Sequence, residues 1–251
     1  MGKTSIAVVG AKGYVGQALC QALEKNPGFS VIRVIRENYA AMKAGSYDTL
    51  INAAMPSKRF WAKNNPQEDF KETVQKTTEL YTQWKYKKFI QISTVSARCE
   101  PESVYGKHKA AAEKIIGLKD HLIIRLSVMF SPQLSKGALV DILQGQKVFV
   151  SGESRYPYAS LDFVTSWIAQ HLNEKGIVEL GARNTVTLQE IADRLGQKVE
   201  FSGPVEDQTL QTSRPEFPDA AEVFDFMAQM KRKNIMGPGP TNLGAGSAKI
   251  C

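Results

Sequence analysis

The sequence predicts an α/β fold with a doubly wound parallel sheet of Rossmann-like type and a small C-terminal lobe. Short apolar runs alternate with helical patterns along the first half of the chain, as in βαβ units. The first run, residues 6–9, turns through three glycines into an amphipathic helix. Later runs end in small or hydroxyl-bearing residues, which suits a sheet whose strand ends border a crevice.

The glycine-rich turn after the first strand is the first candidate site. It is followed by a helix predicted over residues 13–25. A Cβ in such a turn would keep a pyrophosphate away from the backbone, and the helix N-terminus attracts phosphate. The spacing is Gly-x-x-Gly-x-x-Gly, whereas the commoner motif is Gly-x-Gly-x-x-Gly. The turn therefore predicts a bound dinucleotide. Lys12 either binds a phosphate group of this dinucleotide or is exposed to solvent. The predicted contacts are Gly10, Lys12, Gly13, Tyr14, Val15 and Gly16.

The end of the second predicted strand, residues 30–36, bears on the choice of cofactor. An acidic residue about 20 positions after the glycines favours NAD, because it binds the adenine ribose, and an arginine accommodates the 2′-phosphate of NADP. Arg36 stands 20 residues after Gly16, and Glu37 is the nearest acid. The sequence therefore predicts NADP, with NAD as the alternative if Arg36 is only an exposed strand-end residue.

The third predicted strand, residues 48–54, ends in Asn52-Ala53-Ala54. Small residues at the carboxyl end of a strand leave space for a ligand in the crevice, so all three are candidate cofactor contacts. Only residues 38–47 separate this strand from the second one, which is short for a full crossover. A helix over residues 65–84 and a strand over residues 87–92 are predicted next.

A hydroxyl pair and a Tyr-x-x-x-Lys spacing form the candidate catalytic set. Ser93 and Thr94 end the fourth predicted strand, and Tyr105 and Lys109 share one face of a helix predicted over residues 105–117. A tyrosine hydroxyl is a poor acid at neutral pH, and a cation one turn away favours the phenolate and eases proton transfer. In this order the residues predict a nicotinamide-dependent enzyme that moves a hydride to or from a carbonyl or alcohol.

Composition excludes several other classes. The chain has 251 residues and 43% hydrophobic content, and its apolar runs are too short to span a membrane. Its three cysteines are too scattered for a disulfide framework or a metal site. The first strand leaves no room for a signal peptide, so a cytoplasmic protein is expected. The net charge of +7 is spread along the chain, which favours attraction of anionic small molecules over nucleic acid.

These motifs resemble the short-chain dehydrogenase/reductase superfamily, in its extended branch of NAD(P)-dependent nucleotide-sugar epimerases, dehydratases and reductases. The resemblance covers roughly residues 4–216. It implies that Tyr105 exchanges the proton, that Lys109 lowers the tyrosine pKa and binds the nicotinamide ribose, and that Thr94 orients the substrate oxygen. It also implies that Ser93 lines both the cofactor and the substrate, that Arg155 contacts the nucleotide diphosphate, and that the protein forms a homodimer.

The resemblance implies a division of the chain into two units. Residues 1–150 are predicted to form the NAD(P)-binding domain, with sheet strands recurring within residues 155–185. Residues 151–233 are predicted to form the substrate-binding lobe, which contains a helix that opens with the capping box Thr187–Glu190. Residues 234–251 are rich in Gly, Pro, Ala and Ser and are predicted to be a disordered tail.

The residues after Thr94 narrow the chemistry. Dehydratases of this branch carry an Asp-Glu pair directly after the catalytic hydroxyl, whereas Val95-Ser96-Ala97 follows here, with no acid before Glu100. The short chain and the NADP prediction favour a reductase that acts on a 4-keto-6-deoxy sugar nucleotide. An epimerase that recycles its cofactor is the alternative.

Two further interpretations stay open. A non-catalytic NAD(P)-sensing module could use the same fold, although such relatives usually lack the tyrosine that this chain keeps. An aldehyde or acyl-phosphate dehydrogenase has a similar glycine motif but needs an activated cysteine, for which Cys99 is the mid-chain candidate.

Overall fold

The computed structural model describes residues 2–233, so the predicted disordered tail over residues 234–251 lies outside the described residues. The strands are β1 (Thr4–Val9), β2 (Phe29–Val34), β3 (Ser46–Asn52), β4 (Lys85–Thr94), β5 (Leu122–Leu126), β6 (Met129–Phe130), β7 (Arg155–Tyr156), β8 (Ala159–Ser160), β9 (Gly176–Leu180) and β10 (Val186–Thr187). The α-helices are α1 (Tyr14–Glu24), α2 (Tyr39–Lys43), α3 (Arg59–Asn64), α4 (Pro66–Phe70), α5 (Lys76–Gln83), α6 (Ser96–Cys99), α7 (Val104–Glu113), α8 (Ala138–Leu143), α9 (Leu161–Gln170), α10 (Leu188–Leu195) and α11 (Glu222–Lys233).

Six parallel strands form the central sheet, in the order β2-β1-β3-β4-β5-β9. The order reverses between β1 and β3, and in such sheets ligands bind outside the carboxyl ends of the strands at the reversal. The predicted doubly wound parallel sheet is therefore confirmed, and the glycine turn after β1 lies at its reversal point.

Alternate side chains of the strands build two cores, one on each face of the sheet. Ile6 and Val8 pack on the face covered by α1 and α9, which contact each other. Ala7 and Val9 pack on the opposite face, against Leu80 of α5. These strands are rich in β-branched residues and buried on both faces, as expected for a parallel sheet covered by helices.

The connection between β2 and β3 is short, as the sequence predicted. It contains only the five-residue helix α2, which has no buried residue. No strand pairs with the outer side of β2 among the described residues, so β2 forms one edge of the sheet.

The helix predicted over residues 65–84 is interrupted. α4 begins at Pro66, a π-helical turn (Lys71–Gln75) follows, and α5 continues to Gln83. Single π-turns within α-helices are frequent at functional sites. This turn packs against α7, which carries Tyr105 and Lys109.

A separate core holds the C-terminal lobe together. It joins α8, α10 and α11 through Ile142, Ile191 and Met227. The predicted capping box of α10 forms as expected, with Thr187 accepting from Glu190 N and Glu190 accepting from Thr187 N.

Segments that belong to the sheet and segments that belong to the lobe alternate along the chain. α8 precedes residue 150 but packs in the lobe, whereas β9 lies within residues 155–185 and completes the sheet. Within residues 2–233, no helix combines the length and hydropathy that crossing a membrane requires.

Candidate active site

A cavity of about 970 Å³ opens at the carboxyl ends of β1, β3 and β4. Its walls are the glycine turn, the end of β2, the turns after β3 and β4, and α7. Segments after β5, residues 126–129, close it from the side of the lobe. Most of the predicted cofactor and catalytic residues therefore line one continuous space.

The glycine turn is as tight as the sequence predicted. Gly10 has φ +86°, and a Cβ there would lie 2.7 Å from the Ala53 carbonyl oxygen. A Cβ on Gly16 would lie 2.2 Å from the Gly10 carbonyl oxygen, so Gly16 supports the turn from behind. Gly13 caps α1 without a side-chain hydrogen bond, which leaves the first N–H groups of this helix available to an anion.

These features fit a dinucleotide, because the turn approaches the cavity with bare backbone that any Cβ would obstruct. Gly10, Gly13, Tyr14 and Val15 line the cavity beside the start of α1 and would hold the diphosphate. Arg36 and Glu37 line the end of the cavity next to β2 and would meet the adenine ribose. Ser93, Thr94, Tyr105 and Lys109 line the part next to β4 and α7, where the nicotinamide would lie.

Arg36 and Glu37 differ in their partners. Glu37 forms an exposed ion pair of 2.8 Å with Lys12 of the glycine turn, and this hydrogen bond lowers the pKa of Glu37. Arg36 forms no ion pair within residues 2–233. The acid nearest the predicted ribose position is thus already paired with a lysine, whereas the arginine beside it is not.

Asn52 is placed behind the cavity wall. Its buried amide donates to Thr77 Oγ1 at 3.2 Å and to Gln91 Oε1 at 3.0 Å. Its carbonyl oxygen accepts from Ala54 N at 3.1 Å, which shapes the turn. Ala53 and Ala54 themselves line the cavity, so Asn52 positions the two predicted contacts that follow it.

Tyr105 and Lys109 lie together on the buried face of α7, which begins after the N-cap Ser103. The Lys109 ammonium lies 4.9 Å from the centre of the Tyr105 ring and donates to the Pro56 carbonyl at 2.7 Å. The predicted pair is therefore adjacent in space as well as in sequence, at the wall of the cavity.

Burial dominates the ionisation of both groups. It raises the pKa of Tyr105 to about 12, although Arg59 and the hydroxyl of Thr94 oppose the shift. It also lowers the pKa of Lys109 to about 7. Desolvation thus outweighs the opposing effects of Arg59 and Thr94, and the phenol form of Tyr105 predominates at neutral pH. The expected lowering of the tyrosine pKa by Lys109 stays a prediction.

Ser93 and Thr94 differ in what their hydroxyls do. The Ser93 hydroxyl donates to Glu113 Oε1 at 2.6 Å, and Glu113 also forms a buried ion pair of 2.7 Å with Arg125. The Thr94 hydroxyl accepts from Ser96 N and interacts with Tyr105. Of the two, Thr94 is therefore the one placed to hold a substrate oxygen beside Tyr105.

The short connection between Thr94 and Tyr105 requires a close approach of two helices. It holds only α6 and a turn, and a Cβ on Gly106 would lie 2.1 Å from the Glu100 carbonyl oxygen and 2.8 Å from that of Ser96. A glycine directly after Tyr105 thus lets α7 pack on α6, which keeps Tyr105 at the cavity despite the shortened chain.

Arg59 is a cavity residue that sequence reasoning missed. Its guanidinium forms ion pairs of 2.7 Å with both Glu100 and Glu206 and donates to Ser96 Oγ at 3.1 Å. Tyr156 also donates to Glu206, at 2.8 Å. No spacing pattern could have found this cluster, because its members come from four distant parts of the chain.

Arg155 lies outside the cavity lining. It is exposed on β7, with its backbone N–H bonded to the Glu206 carbonyl, and the neighbouring Tyr156 is the residue that faces the Arg59 cluster. On the other side of the cavity, the Tyr14 hydroxyl donates to Ser131 Oγ at 2.8 Å. The residue after the glycine turn therefore contacts the segment that follows β6.

Comparisons with known proteins agree with this geometry. The model of the NAD dependent epimerase/dehydratase family matches residues 6–133, about half of the chain, which include the glycine turn and the Tyr105–Lys109 pair. The chain belongs to this family. No curated protein shows significant sequence similarity to the chain.

Solved structures share the fold. UDP-glucose 4-epimerase from Thermotoga maritima, solved with UDP-glucose, has a TM-score of 0.72 at 17% identity, covering 93% of this chain and 100% of that one. dTDP-4-dehydrorhamnose reductase from Yersinia enterocolitica has a TM-score of 0.72 at 15% identity, covering 90% and 99%. An NAD-dependent NDP-hexosamine 5,6-dehydratase of tunicamycin biosynthesis has a TM-score of 0.72 at 14% identity, covering 92% and 98%. At these identities the likeness concerns the fold alone.

Proposed function

We propose that the protein is an NADP-dependent reductase of a nucleotide-linked 4-keto-6-deoxy sugar. The observation that carries the proposal is the placement of Tyr105. Tyr105 is only 7% exposed. It lies at the wall of the cavity, beside Thr94 and Lys109. This arrangement can deliver a proton to a carbonyl oxygen held within the cavity.

Three residues of the chain have separate roles in a carbonyl reduction. When bound, the reduced nicotinamide supplies the hydride. Thr94 orients the carbonyl oxygen through its hydroxyl, and Tyr105 donates a proton to that oxygen. Lys109 places a positive charge beside the Tyr105 ring, which stabilises the phenolate that remains after the proton has left.

The protonation state of Tyr105 suits a reduction. A reductase needs the phenol as its proton donor. Burial raises the pKa of Tyr105 to about 12, so the donor form predominates at neutral pH. A reductase can therefore start from the protonation state that this site favours.

The position of Glu100 argues against dehydration. It is the first acid after Thr94, and its carboxylate forms an ion pair of 2.7 Å with Arg59. An acid held in this way is poorly suited to take a proton from a sugar carbon. The Asp-Glu pair that dehydratases carry directly after the hydroxyl is replaced by Val95-Ser96.

Arg36 supports the preference for NADP over NAD. The family is NAD-dependent by its description, and the preference within it depends on the residues near the adenine ribose. Glu37, which could bind the ribose diol, is paired with Lys12, while Arg36 lines the same part of the cavity. A 2′-phosphate placed there would lie near the positive charge of Arg36. A ribose diol would lie near Glu37, which is already paired with Lys12.

The nucleotide-sugar class of substrate is supported by the family and by its solved structures. The epimerase from Thermotoga maritima was solved with UDP-glucose, and the reductase from Yersinia enterocolitica is named for a dTDP-linked 4-keto sugar. Ser57 lines the cavity with a hydroxyl group that can bind a sugar hydroxyl, whereas Ser96 and Gln208 are buried and hydrogen-bonded to Arg59 and Glu100 respectively.

The direct test is NADPH oxidation across a panel of UDP- and dTDP-linked 4-keto-6-deoxy sugars, with NADH as the comparison. Turnover of one sugar with NADPH, and slower turnover with NADH, would support the proposal. Tight NADPH binding without oxidation, accompanied by interconversion of two sugars, would indicate an epimerase. Binding with neither reaction would indicate a sensing module.

A further inference from the structure

Lys109 is a buried cation without an adjacent carboxylate. Its side chain is 2% exposed, and its ammonium donates to the Pro56 carbonyl at 2.7 Å. Within residues 2–233, no carboxylate lies within 4.0 Å of this ammonium. Burying an ammonium costs several kcal/mol unless a negative charge stands near it, so the site needs a counter-charge.

Asp69 is a buried anion of unusual placement. It lies on α4, directly before the π-helical turn, and is fully buried. Its Oδ2 atom lies 2.7 Å from His108 Nδ1, and its Oδ1 atom has no hydrogen-bond partner among the described residues. The contact with His108 accounts for only one of its two oxygens.

Asp69 and Lys109 lie on two helices that pack against each other. His108 and Lys109 are consecutive on α7, and α4 with its π-helical turn packs directly on that helix. The negative charge of Asp69 raises the pKa of Lys109, against the larger lowering by burial, and it also acts on Tyr105. Of the charged groups around Lys109, Asp69 is thus the one that favours its ammonium form.

We propose that Asp69, fixed by His108, is the buried counter-charge of Lys109 and therefore a positioning residue of the active site. It does not touch the predicted position of the reacting atoms. It acts through Lys109, by favouring the ammonium form of this side chain beside Tyr105. This inference extends the proposed function, since it adds a residue pair to the machinery of the same site.

Other charged groups packed around α7 are engaged elsewhere. From α3 and the turn after α6, Arg59 and Glu100 pair with each other. From the π-helical turn, Glu72 pairs with Lys76 at 3.6 Å. The remaining charges on α7 pair as Lys107 with Glu102 and as Glu113 with Arg125. Glu68 of α4 pairs with Lys71 of the π-helical turn at 4.0 Å. The lysines of β4 lie at the opposite end of that strand from Ser93 and Thr94.

The ionisation of Lys109 can be measured without any substrate. We would follow the pH dependence of acylation of Lys109 by acetic anhydride, read by peptide mass spectrometry, in the wild type and in Asp69→Asn. Glu68→Gln is the matched control, because Glu68 is the neighbouring acid on α4 and is exposed. Asp69→Glu retains the charge and controls for altered packing, and circular dichroism checks that each variant is folded.

The expected midpoint for Lys109 is near 7 in the wild type and in Glu68→Gln, and at least one pH unit lower in Asp69→Asn. Asp69→Glu should stay within half a unit of the wild type. An Asp69→Asn variant that is folded and has an unchanged midpoint would overturn the proposal. If Asp69→Asn does not fold, two other variants decide the question. An unchanged Lys109 midpoint in His108→Gln, together with a shifted Lys109 midpoint in Asp69→Glu, would then overturn the proposal.

The reductase assay gives a second, separate readout. In Asp69→Asn, loss of the negative charge should move the alkaline limb of the plot of kcat against pH to lower pH, by the same interval as the labelling midpoint. The KM for NADPH should stay within about threefold of the wild type. If the wild type reduces no sugar, the proposed function fails, while the labelling result still decides the role of Asp69.

Discussion

The guanidinium of Arg59 lies 2.7 Å from the carboxylate of Glu206, which stands 147 residues later in the chain. Arg59 belongs to the sheet side of the cavity and Glu206 to the segment that packs on β7. Because Arg59 also pairs with Glu100, its charge is held between two acids at the substrate end of the site. This cluster fixes the sheet and the lobe relative to each other where a substrate would enter.

Glu206→Gln should weaken that connection without removing the group that accepts from Tyr156. We expect the melting temperature to fall by about 3–12 °C, since a hydrogen bond to a charged group contributes about 1.5–3 kcal/mol. The KM for the sugar should rise about 3–10-fold, with NADPH affinity unchanged. Glu200→Gln, at an exposed pair with Lys147, is the control. Equal effects of the two variants would contradict this role for Glu206.

Arg36→Gln should remove the preference for NADPH. We expect the KM for NADPH to rise about 10–100-fold, because hydrogen bonds to charged groups contribute about 1.5–3 kcal/mol. The KM for NADH should change little, since NADH lacks the 2′-phosphate. Arg33→Gln is the matched control, because Arg33 lies on β2 and pairs with Glu24. An equal rise in the KM for both cofactors would show that Arg36 does not bind the 2′-phosphate.

Gly16→Ala should disrupt the glycine turn. The new Cβ would lie 2.2 Å from the Gly10 carbonyl oxygen, and a backbone atom cannot move aside as a flexible side chain can. We expect at least a tenfold loss of cofactor affinity, measured by calorimetry, and a lower melting temperature. Gly2→Ala serves as the control, because no atom lies within 4 Å of its Cβ position. Wild-type affinity in Gly16→Ala would be incompatible with the described turn.

The low pKa of Lys109 predicts a pH-dependent difference in stability from Lys109→Met. The folded protein holds this pKa at about 7, below the ordinary 10.5, so the unfolded chain binds more protons between these values. The free energy of unfolding of the wild type should therefore rise relative to the variant between pH 7 and 10, by up to about 1.4 kcal/mol per pH unit. Urea unfolding at several pH values measures the difference.

Lys107→Met is the control for that comparison. Lys107 lies on the same helix but is exposed and pairs with Glu102 at 3.3 Å. Its stability difference from the wild type should not depend on pH in this range. A pH-independent difference for Lys109→Met as well would show that Lys109 keeps an ordinary pKa in the folded protein.

The features that the sequence predicts correctly are those encoded by local pattern. The glycine turn, the strand ends at Ala53 and Thr94, and the Tyr105–Lys109 spacing depend on residues within one element or one turn. Arg59 and Asp69 were missed because their contacts are with distant segments, Glu206 and His108 respectively. The rise in the pKa of Tyr105 could not be predicted, since the degree of burial is a tertiary property that spacing does not reveal.

The central claim, that Tyr105 donates a proton during NADPH-dependent reduction, is tested most directly by comparing Tyr105→Phe with the wild type. Single-turnover NADPH oxidation should slow by at least about a thousandfold, within the range expected for loss of a general acid and its orientation. NADPH affinity should stay within a few fold. Tyr47→Phe, which removes a hydroxyl that donates to the Met42 carbonyl away from the cavity, should be as fast as the wild type. Full activity in Tyr105→Phe would contradict the account.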